Sequence, residues 1–394
     1  MKATTLAVTA GALAPTAALP VAGPLHLSAV SFYADADALD ASLDGSGYSY
    51  GRIRAPNAEA LEQALAALEG AEACVAYASG MAALRALWDS LSLKAGDVAM
   101  VPADGYGASL ALLKRLAAER SVTLRLQSFT APDVAAHLAE VKPKLVFLES
   151  VTNPLLSVPD LPTLCAEAHA AGATVAVDAT FCSPLGQRPL SHGADLVLHS
   201  TTKWINGHSD ALGGVVSGAR ARIEPMRSAR ILTGELLGPF EAYLTLRGVR
   251  TLPVRMKAHG ENALALARAL EASGRVIGLR YPGLPSHPQH SVARRVLDVE
   301  SAGFGGLLAF ELPKGGRAEA FRFLESVKLA RPAPSLGDVA TLVMHAASAS
   351  ARRMTADERE RAGISERLIR VSVGLEDPSE IAADLLQAID CALR

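Results

Sequence analysis

TVAVDATFCSPLGQRPLSHGADLVLHSTTK, residues 174–203, holds two short apolar runs, 174–177 and 196–199. Each run is followed by a residue able to do chemistry. Asp178 ends the first, and Lys203 follows the second in His199-Ser200-Thr201-Thr202-Lys203-Trp204. Neither run alternates apolar with polar residues. That pattern predicts strands buried on both faces, as in a mostly parallel sheet covered by helices. In an open sheet of this kind, ligands sit at the carboxyl ends of the strands, which is where Asp178 and Lys203 stand.

Working outward, the same kind of run recurs at 98–101, 124–126 and 145–148. Ala/Leu-rich segments of helical character lie at 58–69, 81–93, 108–119, 132–140 and 161–171. Strand and helix therefore alternate over 57–220, and the fold class is α/β with right-handed crossovers. Residues 236–272 read as one or two long helices, broken or bent near Gly248 to Pro253. The remainder reads as a smaller α/β unit with strands at 306–312 and 368–373 and a last helix starting at Pro378, since proline suits a first helical turn. Residues 275–289, with several Gly and Pro, read as a loop-rich connection.

The 394 residues suffice for two or three cores. Half of them are hydrophobic and 20% are charged, a globular composition rather than a disordered one. Net charge is −2, with the signs mixed along the chain. That gives no basic block for nucleic acid or for an anionic membrane. The four cysteines, Cys74, Cys165, Cys182 and Cys391, form no CxxC pair. Their scatter argues against a metal site or a disulfide framework and points to a reducing, cytoplasmic setting. Residues 1–24 are apolar and Ala-rich with Lys2 near the start. Thr4, Thr5, Thr9, Pro15, Thr16 and Pro20 interrupt the run, which argues against a cleaved leader. No later stretch reaches the ~18 apolar residues of a membrane span.

Three pieces carry chemistry. Ala78-Ser79-Gly80-Met81 leads from the apolar segment 75–77 into a helix. Small residues there let the backbone approach a ligand, and a helix N-terminus offers free N–H groups to a phosphate. Read alone, the piece is also an ordinary tight turn. Asp178, at a strand end, can meet a ring nitrogen and keep it protonated, or simply cap a helix. Lys203, among Ser200, Thr202 and His199, can form an imine once desolvation or cationic neighbours lower its pKa, or it can be a surface lysine. His199 and His208 read as structural.

Taken in order, a phosphate turn, an acid at a strand end and a hydroxyl-flanked lysine resemble fold-type I pyridoxal phosphate (PLP) enzymes. More specifically, the chain resembles the Cys/Met-metabolism PLP-dependent family, which holds cystathionine γ-synthase, the cystathionine β- and γ-lyases, methionine γ-lyase and the homoserine-ester sulfhydrylases. The carrying stretches are Tyr50-Gly51-Arg52, 65–70 (LAALEG), 78–83 (ASGMAA), Tyr106-Gly107 and 149–154 (ESVTNP). They continue with 177–181 (VDATF), 193–210 (GADLVLHSTTKWINGHSD), Leu246-Arg247-Gly248, 335–338 (SLGD) and 368–374 (LIRVSVG).

The resemblance implies a division into an N-terminal arm (1–56), a PLP-binding large domain (57–248) and a smaller C-terminal α/β domain (249–394). It implies that Lys203 carries PLP as a Schiff base and then serves as acid and base, and that Asp178 pairs with the ring nitrogen. Tyr106 would stack on the ring and move protons, with Asn153 by the ring hydroxyl. Gly80 and Met81 would give backbone N–H groups to the phosphate, joined by the Ser200 and Thr202 hydroxyls. Tyr50 and Arg52 would reach the phosphate of a neighbouring subunit, in a homodimer or homotetramer with shared sites. Arg370 would take the substrate α-carboxylate, with Ser335 nearby.

The implied activity is elimination or replacement at the γ (or β) carbon of a sulfur-containing or O-substituted homoserine-type L-amino acid. An unusual γ-substituted amino acid, transamination, and PLP binding without turnover are the alternatives. Three positions depart from the family pattern. Ala55-Pro56-Asn57 stands where Asn-Pro-Thr is usual, and Ala179 where Asn follows the acid. Pro334 stands where cystathionine-processing enzymes commonly carry Glu and methionine γ-lyases Val.

Overall fold

The structure, a computed structural model, describes residues 1–11 and 21–394. A short helix, Ala3–Thr9, opens the chain. Pro15, Thr16 and Pro20, which break the apolar leader, lie outside the described residues. Among the described residues no helix is long and apolar enough to cross a membrane.

The larger sheet holds β1 (Ala73–Tyr77), β2 (Val98–Pro102), β3 (Thr123–Gln127), β4 (Leu145–Glu149), β5 (Thr174–Asp178), β6 (Leu196–His199) and β7 (Gly214–Gly218). Their order across the sheet is β1-β7-β6-β5-β4-β2-β3. Strands β2 to β6 run parallel, and β7 returns antiparallel between β6 and β1. The lack of alternation in these strands has a direct cause. Side chains along a strand point to opposite faces in turn, and both faces are covered except at the edge strand β3, which is largely exposed, so the expectation of burial on both faces fails for 124–126. Leu145 and Phe147 pack with Leu84, Leu87 and Trp88 on one side. Val146 and Leu148 pack with Leu138, Leu161 and Leu164 on the other.

Helix Gly80–Ser90 shows how local sequence builds the covering layer. Ser79 caps it by accepting from the Ala82 N–H at 3.1 Å. Ala83, Leu84, Leu87 and Trp88 recur one turn apart and form its buried face. Full burial of a leucine such as Leu87 contributes about 2 kcal/mol. Helix Pro56–Glu69 starts with proline in its first turn and ends on Gly70 in the left-handed region (φ 70°).

The smaller sheet holds β8 (Ile277–Arg280), β9 (Leu307–Glu311), β10 (Arg331–Pro332), β11 (Leu342–His345) and β12 (Leu368–Ser372) in the order β10-β11-β12-β9-β8. Its two central strands, β9 and β12, are those legible at 306–312 and 368–373. The last helix is Pro378–Leu393. One correction concerns 275–289, which is not wholly loop: β8 lies inside it. Gly278 sits at φ 54°, the register shifts between Ile277 and Arg280, and the strand is a half-exposed edge, so no apolar pattern marked it.

The stretch 236–272 is two helices, Pro239–Val249 and Leu252–Ser273. The second packs Leu252 and Met256 into the core beneath the larger sheet, and Ala263, Leu266 and Leu270 into that of the smaller one. A division of the chain at 248/249 remains our proposal.

Candidate active site

Strand ends bring the chemistry together. Asp178 is the last residue of β5 and Glu149 the last of β4, and the two are paired in register. Lys203 follows β6. Arg370 lies in β12, where Ile369 and Val371 turn into the small-sheet core, so the alternate side chain faces the larger sheet. These residues meet in one cavity of about 290 Å³, which Gly80, Met81, Tyr106, Asn153, Ser200, Thr202 and Ser335 also line. Ten of the twelve residues implicated by sequence therefore share one site.

Lys203 donates from Nζ to the Ser335 hydroxyl at 2.9 Å. Burial, helped by the nearby Arg370 guanidinium, pulls its amine down from 10.5 to about 8. Arg370 is 3% exposed. It donates from Nη1 to Asn153 Oδ1 (3.1 Å) and from Nη2 to the Ser335 carbonyl (2.6 Å). Burial brings the guanidinium down from 12.5 to about 9, with Tyr106 opposing the shift. It stays cationic at neutral pH, and its buried Nε has no partner. Only two of the five N–H groups of a guanidinium are thus engaged by protein.

Asp178 Oδ1 accepts from the Thr180 N–H at 3.0 Å. Burial raises its pKa, and the Thr180 contacts and His199 hold it back. His199 is buried and bonds Glu69 at 2.5 Å. Ser200 stands close against Gly80. A Cβ on Gly80 would lie 2.9 Å from Ser200 Cβ, closer than real side chains pack. Gly80 and Met81 occupy the first positions of their helix, so their N–H groups have no intrahelical acceptor. The Thr202 hydroxyl donates to the Gly213 carbonyl at 3.3 Å and accepts from its N–H at 3.1 Å.

Tyr50 and Arg52 are not part of this cavity. Both are exposed, Arg52 donates to the Ile231 carbonyl at 2.6 Å, and its guanidinium lies 5.4 Å from the Tyr50 ring centre. Of the departures, Ala179 is fully buried and donates its N–H to the Leu198 carbonyl, while Pro334 lines the cavity.

Sequence reading passed over Glu149. Its carboxyl accepts from the Tyr106 N–H at 2.6 Å and from the Asn153 N–H at 2.9 Å. Burial above all, with Asp178 close by, raises its pKa well above the usual carboxylate range. The signal was available, since Glu149 stands at a strand end by the same criterion that picked out Asp178.

The residues present fit PLP. One end of the cavity offers helix-start N–H groups beside a glycine that leaves no room for a side chain, as a phosphate needs. The other offers a buried acid, a depressed amine and a buried guanidinium with an orphaned N–H.

Comparison with known proteins agrees. The model of the family described as Cys/Met metabolism PLP-dependent enzyme matches residues 4–390. An O-succinylhomoserine sulfhydrylase of Pseudomonas aeruginosa is 41% identical over 345 residues, covering 87% of this chain and 84% of that protein. An L-methionine gamma-lyase of Pseudomonas putida is 40% identical over 349 residues, covering 87% and 85%. The solved structure of cystathionine gamma synthase from Xanthomonas oryzae pv. oryzae in complex with cystathionine superposes with a TM-score of 0.93 at 38% identity, covering 100% of this chain and 99% of that one.

Proposed function

The chain belongs to the Cys/Met-metabolism family of PLP-dependent enzymes, and from that premise we propose that it carries out elimination or replacement at the γ (or β) carbon of a homoserine-type L-amino acid. The observation that carries this reading is the pairing of a depressed amine, Lys203, with the half-engaged buried guanidinium of Arg370, both bonded to Ser335.

The Gly80 and Met81 N–H groups and the Ser200 and Thr202 hydroxyls would hold the cofactor phosphate, and Asp178 would face the ring nitrogen. Lys203 is the amine placed to hold the aldehyde carbon. Bound there, PLP supplies an electron sink for the charge left when a bond to the α-carbon breaks. The protein does the rest. Arg370 receives the α-carboxylate through its free N–H groups and so fixes which bond at the α-carbon faces Lys203. Lys203 would take the α-proton, and its depressed pKa lets it both take and return a proton near neutrality. Asp178, whose Oδ1 accepts from the Thr180 N–H, would hold a proton on the ring nitrogen. Tyr106 covers the ring and passes protons toward the leaving group. Tyr50 and Arg52 serve the phosphate site of a second copy of the chain.

The charge inventory narrows the substrate. Besides the phenol of Tyr106, the ionisable groups lining the cavity are Glu149, Asp178, Lys203 and Arg370. Glu149 is tied to backbone and the other three have the duties above. Among the described residues lining the cavity no carboxylate remains for a distal ammonium, and the wall is completed by apolar Leu212, Pro334, Met344 and Ala349 with the uncharged hydroxyls of Ser109 and Ser350. This favours a γ-substituent without an ammonium group, a thioether or an ester, over cystathionine.

Purified protein reconstituted with PLP should show a visible absorption band that borohydride removes and that Lys203→Ala lacks. Methionine, O-succinylhomoserine, cystathionine and cysteine should then be supplied separately, with ketoacid and pyridoxamine phosphate measured. Ketoacid from methionine or the ester supports the reading, and ketoacid from cystathionine alone refutes the substrate preference. Pyridoxamine phosphate would mean transamination, a band without product would mean a binding protein, and no band would end the proposal.

A further inference from the structure

We propose that Glu149 is a positioning residue whose single carboxyl group, bonded to the main-chain N–H of Tyr106 and of Asn153, fixes the aromatic cover of the site relative to the substrate-binding arginine. The inference rests on the PLP reading above for what the two groups cover, though the clamp itself is a property of the chain alone.

The geometry is specific. Oε1 accepts from Tyr106 at 2.6 Å and Oε2 from Asn153 at 2.9 Å. Tyr106 immediately precedes helix Gly107–Glu119, so its N–H fixes where that helix and its preceding ring begin. Asn153 in turn accepts from Arg370 at 3.1 Å. One side chain thus joins the loop after β2, the loop after β4 and, through Asn153, the β12 arginine. The approach is close: a Cβ on Gly105 would lie 3.1 Å from Glu149 Oε1.

Carboxylates are a costly way to tie two backbone amides in a buried place. Asp178 is its register partner on β5, and Asp104 is a further acid near it. A fully buried acid beside others is unfavourable for stability alone. A glutamate in this place is accounted for by function: each of its two oxygens accepts one main-chain N–H, whereas an amide group has one acceptor oxygen only. Glutamine retains the shape but presents one acceptor and one donor, so one of the two N–H groups would face another donor.

The test is Glu149→Gln, studied as full-length holoenzyme and apoprotein. Hydrogen–deuterium exchange should rise in peptides covering 103–109 and 150–156 and stay unchanged elsewhere. The holoenzyme should keep its visible band and its cofactor stoichiometry, while the circular dichroism of that band changes in amplitude. Losing one buried hydrogen bond should lower kcat/KM about 10- to 100-fold.

Exchange, dichroism and kinetics all equal to wild type would overturn the proposal. So would exchange rising over the whole chain with activity falling in step with the folded fraction, which marks a merely structural role. Should the glutamine variant not fold, Glu149→Asp, shorter by one methylene, is measured in the same way. The wild-type pattern decides independently: rapid exchange of the Tyr106 and Asn153 amides in the apoprotein refutes the clamp. A wild-type protein that takes up no PLP refutes the cofactor reading instead, leaving the apoprotein exchange to judge Glu149.

Discussion

Replacing Lys203 by methionine in the apoprotein should make the protein more stable near neutral pH and remove a pH dependence that the wild type shows. The structure sets the direction and the size. The amine is brought from 10.5 to about 8 on folding, chiefly by burial and then by Arg370. Between those two values the unfolded chain holds a proton that the folded chain has released, so wild-type stability rises with pH across that window. Below about pH 8 the folded state must keep a desolvated cation, and its cost is constant there. A shift of that size corresponds to about 3 kcal/mol at the full span.

Methionine has similar length and no charge, so the variant lacks this cost. Urea unfolding of cofactor-free wild type and Lys203→Met at several pH values from 7 to 10 isolates the effect, because all other groups titrate in both proteins. The difference should shrink steadily as pH rises through 8 toward 10.5. Parallel stability curves for the two proteins would refute the reasoning, since they would mean that the amine titrates alike in folded and unfolded chains. Arg370→Met with Lys203 intact should remove only part of the shift, because burial is its first cause.

Other outcomes follow from neighbouring geometry. Gly80→Ala should weaken PLP binding by about tenfold or more, read by fluorescence titration, because its Cβ would stand 2.9 Å from Ser200 and push the helix start away. Glu62→Ala should cost about 3–5 kcal/mol in urea unfolding, since Arg230, 6% exposed and bonded to Glu62 at 2.7 Å, would be left buried without its carboxylate. Pro334→Glu should raise kcat/KM for cystathionine relative to methionine by supplying the missing carboxylate. Mixing Lys203→Ala with Arg52→Ala, each inactive alone, should recover about a quarter of wild-type activity if sites are shared across a two-fold dimer. No recovery after subunit exchange would mean that each chain completes its own site.

The parts of the fold legible in the sequence are those where burial on both faces writes an unbroken apolar run. Strands β2, β4, β5 and β6 were of this kind. Strand β7, GVVSG, was missed because glycines bound it on both sides, and β8 because Gly278 breaks its pattern. At the site, the strand-end rule found Asp178, and the hydroxyl-flanked lysine stood out by composition. The same rule also reaches Glu149, but its role rests on backbone N–H partners in two loops, which no spacing in the sequence marks. Tyr50 and Arg52 lie outside this chain's own cavity, and the role that the resemblance implies for them, at a neighbouring subunit's phosphate, remains a proposal.

The bonds that complete the site join parts of the chain made far apart: Lys203 meets Ser335 across 132 residues, and Arg370 meets Asn153 across 217. Closing such long loops is slow and is rewarded only once both sheets have formed. A nascent or partly folded chain therefore exposes a lysine that is an ordinary surface amine, with no neighbouring guanidinium and little desolvation. The depressed amine of Lys203 therefore depends on contacts that exist only once the two sheets have met.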